Sequence, residues 1–250
     1  MYFNVVSSGS KGNATLVVAK NTTILIDMGI SLVRLKAGLE EINKKLGDID
    51  ALFITHEHTD HVNGLKHFSP KKIYSLEGTL GIDYNVISAY TKINIKDIDI
   101  IPFFTSHDAH NPCGYVLECE DEKLVYMTDT GVFYNNNLPY LSNPNYLIIE
   151  SNHDVGMLLK THRTYELKCR IMSDVGHLCN EDSAIVAKDI IGDKTKEIVL
   201  AHLSEEANTS ELALKAYHDI FKHFGIREGQ ILIRCANQHH SLIGGCKNEN

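Results

Sequence analysis

Four apolar residues, Ala51-Leu52-Phe53-Ile54, run without a break into Thr55-His56-Glu57-His58-Thr59-Asp60-His61. The apolar run reads as a buried strand, and the polar residues after it as the loop at its tip. Within six residues, from His56 to His61, that loop carries three imidazoles and two carboxylates. Imidazole nitrogen and carboxylate oxygen are the donors that Zn²⁺, Mn²⁺ and Fe²⁺ accept. His56 and His58 are two apart, so an extended segment points them the same way. Asp60 and His61 come after the chain has begun to turn, and are aimed at a second ion beside the first. The helical H-E-x-x-H arrangement has a different spacing. A chance cluster is the simpler reading in a chain with 14 histidines, but ligands this dense directly after a strand suit a metal site.

The pattern His56-x-His58-x-Asp60-His61 resembles the signature of the metallo-β-lactamase superfamily. The resemblance implies an α/β fold: an αββα sandwich, two mixed β-sheets packed face to face with helices on both outer faces. It also implies up to two metal ions, bound between a strand and a helix. An apolar fraction of 43% is enough to bury one large core, and no linker divides the chain, so residues 1–250 read as one domain.

Ahead of the motif, strands are expected at 2–6, 14–18 and 23–27, with a turn at Lys20-Asn21. The intervening loop, residues 7–13, is rich in Ser and Gly. Its backbone donors are free to approach a ligand, and Ser8, Ser10 and Asn13 are candidate substrate contacts. An ordinary hairpin turn is the alternative, because Gly and Ser dominate turns. Apolar residues at helical spacing predict a helix over 31–46, closed by Gly47 and Asp48. Past the motif, a short helix over 62–67 begins at the ligands and leaves His67 in solvent.

The remaining candidates follow strand ends. A strand over 99–104 delivers both His107 and His110. His107 is preferred, since it is nearer the strand and strand ends place side chains more firmly than loops do. Superfamily members put their next His at such a point, ahead of a Gly-Tyr strand, here Gly114-Tyr115. A strand over 123–127 leads to Asp129, whose two oxygens are those expected of a bridging ligand. After the strand 146–150, His153 and Asp154 border the cleft. His177 precedes a helix over 181–191 that Asn180 can cap, where the backbone favours an anion. There it is placed to bind a phosphate or to protonate a leaving oxygen; a structural His at a helix start is the alternative. His202 ends the strand 197–201. A helix over 210–224 and strands at 231–234 and 238–241 complete the chain, with His239-His240 read as an edge strand or a tag remnant.

The superfamily resemblance implies roles for these residues. Asp27 buttresses the metal loop from behind. His56, His58 and His107 hold one ion, Asp60, His61 and His202 the other, and Asp129 with a hydroxide bridges them. Asp60 also orients the hydroxide, and His177 is the general acid. No G-x-S-x-G elbow and no P-loop is present, so hydrolysis proceeds without a covalent intermediate. A longer series of segments resembles the YycJ/WalJ group of bacterial proteins. It comprises residues 7–14, Thr55-His56-Glu57-His58, Ser106-His107-Asp108-Ala109, Thr128-Asp129-Thr130-Gly131, residues 150–154, Gly176-His177-Leu178 and residues 201–206. That likeness implies 5′-to-3′ DNA exonuclease activity linked to mismatch repair, with two divalent ions (Zn, Mn or Fe) and DNA as substrate. Two departures, Ala207 before Asn208 and His110 in the loop after His107, leave the ligand set untouched.

Charge pulls against a nucleic-acid substrate. The formal net charge is −8, whereas a broad nucleic-acid-binding face is usually basic. The metals and a local groove of Lys11, Lys160, Arg163 and Lys168 would have to hold DNA. Hydrolysis of a small ester, lactam or thioester is the competing activity, and a regulatory protein with a vestigial site is the non-enzymatic one. Six scattered cysteines without a C-x-x-C pair read as reduced thiols. With no apolar run of membrane-spanning length and no leader pattern, a cytoplasmic protein is expected.

Overall fold

The computed structural model describes residues 1–246. The strands are β1 (Tyr2–Ser7), β2 (Ala14–Ala19), β3 (Thr22–Ile26), β4 (Ala51–Phe53), β5 (Ile73–Leu76), β6 (Asn85–Ile87), β7 (Ile93–Ile95), β8 (Ile98–Phe104), β9 (Cys113–Cys119), β10 (Glu122–Met127), β11 (Tyr146–Glu150), β12 (Glu197–Ala201), β13 (Leu232–Cys235) and β14 (Leu242–Gly245). They form two seven-stranded sheets, ordered β14-β1-β2-β3-β4-β5-β6 and β13-β12-β11-β10-β9-β8-β7. Each sheet is antiparallel on one side and parallel on the other. The change falls at β3 in the first sheet and at β10 in the second.

Side-chain alternation builds three apolar layers from these strands. Phe3, Val17, Ile24 and Phe53 of the first sheet meet Tyr115, Tyr126, Ile148 and Val199 of the second between the sheets. Their neighbours in sequence point outward. Leu16, Leu25 and Leu52 pack under Leu35 and Leu39 of the helix Leu32–Glu41. Leu147, Ile149, Ile198 and Leu200 pack under the helices Asn180–Ile190 and Ser210–His223. Strands covered on both faces read as continuous apolar runs, which is why β4, β11 and β12 were conspicuous in the sequence. The αββα sandwich is therefore the observed architecture. Among the described residues no helix is long and apolar enough to cross a membrane.

Local details depart from the sequence reading. The helix expected over 31–46 is Leu32–Glu41, started by the Ser31 hydroxyl accepting from the Arg34 N–H. Asn43, at φ 57°, turns the chain left-handed, and Leu46–Asp48 is a separate 3₁₀ turn. The helix at the ligands begins at Thr59 and ends at Val62, and a 3₁₀ turn over Leu65–His67 comes after it. Cys179, not Asn180, caps the helix after His177, its sulfur accepting from the Asp182 N–H. Asn180 is turned inward, bonded to Ser151 and Asn208. The last strand is Leu242–Gly245 rather than 238–241, and Gln238 is instead buried against Ser7 and Gly12.

Candidate metal centre

The site stands where the sheets change from antiparallel to parallel. Asp27 follows β3, Asp129 follows β10 and His202 follows β12, and all three have left-handed φ values of 55–60°. Non-glycine residues rarely hold that conformation, and they concentrate at functional sites. Here it turns the chain sharply off the strand tip, so that the side chain swings back over the sheet edge.

The first sheet supplies one dense loop. Asp27, fully buried, accepts hydrogen bonds from the Thr55 N–H at 2.9 Å and from His61 Nδ1 at 2.8 Å. The Thr55 hydroxyl lies 3.1 Å from both Asp27 oxygens and 3.0 Å from His56 Nδ1. A carboxylate is acceptor-only, so the His61 proton sits on Nδ1 and Nε2 keeps its lone pair for the cluster. Gly29 lets this loop close: a Cβ there would stand 1.5 Å from the Asp60 carbonyl oxygen.

The second sheet supplies its groups one strand at a time. Glu150, at the end of β11 and fully buried, accepts from His177 Nδ1 at 2.8 Å and from His202 Nδ1 at 3.1 Å. Its other oxygen accepts from the N–H groups of Thr130 and Leu178, each at 3.1 Å. His107 directs Nδ1 to the Gly176 carbonyl oxygen at 3.1 Å. The Ser8 hydroxyl accepts from the His202 N–H at 2.8 Å.

These supports aim the remaining donor atoms at one place. His56, His58 and His107 form one group, Asp60, His61 and His202 a second, and His56, His61 and Asp129 a third; within each, the donor atoms lie within 4.8 Å of one another. Asp129 faces both sides. Its Oδ2 is 3.4 Å from His61 Nε2, while its Oδ1 is 3.5 Å from His202 Nε2 and 3.9 Å from His107 Nε2. Asp60 Oδ2 is 3.6 Å from His61 Nε2 and 3.8 Å from His202 Nε2. Donors on a tetrahedral ion with bonds near 2.1 Å sit about 3.4 Å apart. His56 Nε2, His202 Nε2 and Asp129 Oδ2 are buried without a hydrogen-bond partner. Such orphans are rare in folded proteins, and lone pairs converging on one space fit a divalent cation.

The electrostatics agree. Burial, then the neighbouring imidazoles, hold His56 well below its usual value, so its ring is a neutral donor. Burial also pulls His61 and His202 down, but nearby carboxylates outweigh it. Asp27 and Asp129 raise His61 to about 9, and Asp129, Asp60 and Glu150 raise His202. Burial pushes Asp60 up, yet His202 and His61 bring it down to about 2. The carboxylates that hold protons on His61 and His202 would attract a divalent cation in place of those protons.

The candidates that fall outside the cluster are informative. The His110 side chain is 81% exposed and its N–H is tied to Glu57, so His107 alone reaches the cluster. Ser10 is exposed. Ser8 is buried beneath His202, and His153 is only 1% exposed, so neither lies on an open substrate surface as expected. Asn13 is also buried; its amide stands 3.0 Å from His61 Nε2 and donates to the Gly9 carbonyl. Two of the four cations of the supposed basic groove are ion-paired. Lys11 pairs with Glu205, Arg163 pairs with Glu206, and the Lys168 ammonium donates to the carbonyls of Leu159 and Thr161. His239 also pairs with Glu205, in a bend rather than a strand. Sequence reading assigned no role to Glu150. Its signals were a charge closing an otherwise apolar strand and its place at the head of the segment 150–154 in the resemblance. A cavity of about 620 Å³ beside Leu214, Phe221 and Ile233 shares no residue with the cluster.

A family model for the metallo-β-lactamase superfamily matches residues 8–84. Exodeoxyribonuclease YycJ of Bacillus anthracis is 34% identical over 244 residues, covering 92% of each chain. The chain belongs to the metallo-β-lactamase superfamily. Within it, Exodeoxyribonuclease WalJ of Streptococcus pneumoniae is 37% identical over 227 residues, covering 84% of each chain. These matches place the chain in the YycJ/WalJ group of superfamily metal-dependent hydrolases. The fold of YhfI from Bacillus subtilis superposes with a TM-score of 0.71, over 97% of this chain and 99% of that one; at 16% identity the likeness is one of fold.

Proposed function

We propose that this protein is a dinuclear phosphodiesterase that degrades DNA from a 5′ end. The observation that carries the reading is Asp129, which stands between the two groups of imidazoles: His61 and His202 of one lie 3.4 and 3.5 Å from its oxygens, and His107 of the other lies 3.9 Å away. That is the arrangement a pair of adjacent ions requires. The full-length similarity to two proteins named exodeoxyribonucleases supports a phosphodiester in DNA as the bond cut.

His56, His58 and His107 would hold one ion, Asp60, His61 and His202 the other, with Asp129 between. Zn²⁺, Mn²⁺ and Fe²⁺ all accept this nitrogen and oxygen set. Two such cations would acidify the attacking water and offset the charge gathering on the phosphate. The protein's own part is orientation and proton transfer. Asp60, held anionic, accepts a hydrogen bond from the attacking water and fixes its direction. His177 is a partly open imidazole, 19% exposed at the side chain. With Nδ1–H donated to Glu150, Nε2 carries a proton only in the imidazolium form; that proton passes to the leaving oxygen and leaves the neutral ring. A cytoplasmic setting fits six cysteines that are all free.

The test is purified protein loaded with Mn²⁺ on linear duplex DNA bearing a 5′ phosphate. Nucleotides should be released from that end, and Asp60→Ala should abolish release while the melting temperature of the chain persists. Turnover of a small ester, with every nucleic acid left intact, would replace this reading by that of a small-molecule hydrolase.

A further inference from the structure

Beside the metal centre lies a cavity of about 470 Å³ lined by Tyr90, Phe104, Phe133, Tyr134, Asn135 and Asn136, together with Thr105. That volume is within the range of small-ligand sites. We propose that it holds one nucleobase of the strand being cut; the assignment rests on the exonuclease reading above.

Position is the first support. Phe104 ends β8 three residues before His107, and Phe133 follows Asp129 by four. An extended chain spans at most about 11 Å in three residues. The two loops are laced together, with the Gly131 N–H donating to the Ser106 carbonyl at 2.8 Å and the Ser106 N–H to the Thr130 hydroxyl at 3.1 Å. The cavity therefore cannot be far from the reacting phosphate, and a base near the cut bond is within its reach.

Chemistry is the second. Four of the seven lining residues are aromatic, and Phe104 and Tyr134 keep 37% and 41% of their surface exposed. The Tyr90 ring stands edge-on to Phe104, centroids 5.8 Å apart. The Tyr90 hydroxyl is fixed on Asn137, whose amide holds the Phe104 carbonyl, so the wall is braced before any ligand arrives. The Tyr134 hydroxyl and the side-chain amides of Asn135 and Asn136 make no hydrogen bond among the described residues. Rings offer a face on which a base stacks, and free amides present both donors and acceptors to its edge. None of the seven residues is charged, which suits a neutral planar ring and leaves the phosphate to the metal centre.

The experiment compares Tyr134→Ala, Tyr134→Phe and Phe104→Ala with wild type on a 5′-phosphorylated single strand. A matched strand carries abasic residues at the first three positions. KM for the normal strand should rise roughly 5- to 100-fold in the two alanine variants, the loss of one base–aromatic stack, with kcat nearly unchanged. Tyr134→Phe should match wild type. On the abasic strand the wild-type advantage should vanish. Wild-type KM in both alanine variants, or an equal loss on both strands, overturns the proposal and leaves the exonuclease reading standing. Should wild type cut no strand, that reading falls, and binding of a fluorescent oligonucleotide decides this one. Weaker binding by Tyr134→Ala than by wild type supports the pocket, and equal binding ends it.

Discussion

Asp27 and Glu150 are both fully buried carboxylates standing behind metal-facing imidazoles, yet they do different work. Asp27 serves a single loop: its partners are the Thr55 N–H and hydroxyl and His61 Nδ1. Glu150 ties three segments together, holding His177 and His202 with one oxygen and the N–H groups of Thr130 and Leu178 with the other. The difference shows in their acidities. Burial dominates at Asp27 and raises its pKa. At Glu150 burial also pushes upward, but the His177 and His202 imidazoles outweigh it and hold the group well below its ordinary value. Ligands that come from one contiguous loop need a single anchor. Ligands that come from separate strand tips need a shared one.

Replacing the shared anchor should therefore do the greater damage. We expect Glu150→Gln to lower kcat/KM about 100-fold and to release bound metal, and Asp27→Asn about 10-fold; supporting groups behind metal ligands typically contribute in this range. Steady-state hydrolysis with metal analysis checks both. An equal or larger loss at Asp27 would break the comparison.

Acid should separate the two buried carboxylates by sign, while the depressed imidazoles of both halves, His56 and His153, lose stability alike. His153, three residues past Glu150, is held by burial at about 4 against an ordinary 6.5. Between those values the unfolded chain binds a proton that the folded chain refuses. Stability is thus lost as pH falls from 6.5 to about 4, by up to about 3 kcal/mol. The depressed Glu150 adds a second loss, present in full above its ordinary 4.5 and fading below it. Asp27, being raised, responds in the opposite direction: protonation relieves its burial. Urea midpoints of the metal-free chain across roughly pH 7 to 4 should fall, and His153→Asn should flatten the upper part of that fall. A midpoint independent of pH over this range would show that the buried imidazoles and Glu150 do not govern acid stability.

Thr55→Val tests the first half more gently. It removes the hydroxyl between Asp27 and His56 and should lower stability by about 1–2 kcal/mol, read by chemical denaturation. The smallest effect belongs to the rim. Glu206→Gln frees Arg163 from its ion pair. It should strengthen DNA binding about twofold at low salt and leave stability within about 0.5 kcal/mol; unchanged affinity would mean that Arg163 does not face the strand.

What the sequence determined by itself was whatever lies close along the chain. His56, His58, Asp60 and His61 are one word in the text, and β4, β11 and β12 announce themselves because both their faces are buried. Asp129 and His202 were legible as polar residues at the ends of apolar runs. Tertiary structure decided which distant residues meet. Glu150 reaches His177 across 27 positions and His202 across 52, and Ser8 reaches His202 across 194. It decided too that Lys11 and Arg163 are already paired, and that four aromatic residues line an open cleft beside the metal loops. The physical reason is that side-chain periodicity is a property of a single element, whereas a contact between strand tips depends on the order of strands in the sheets, which no local pattern encodes.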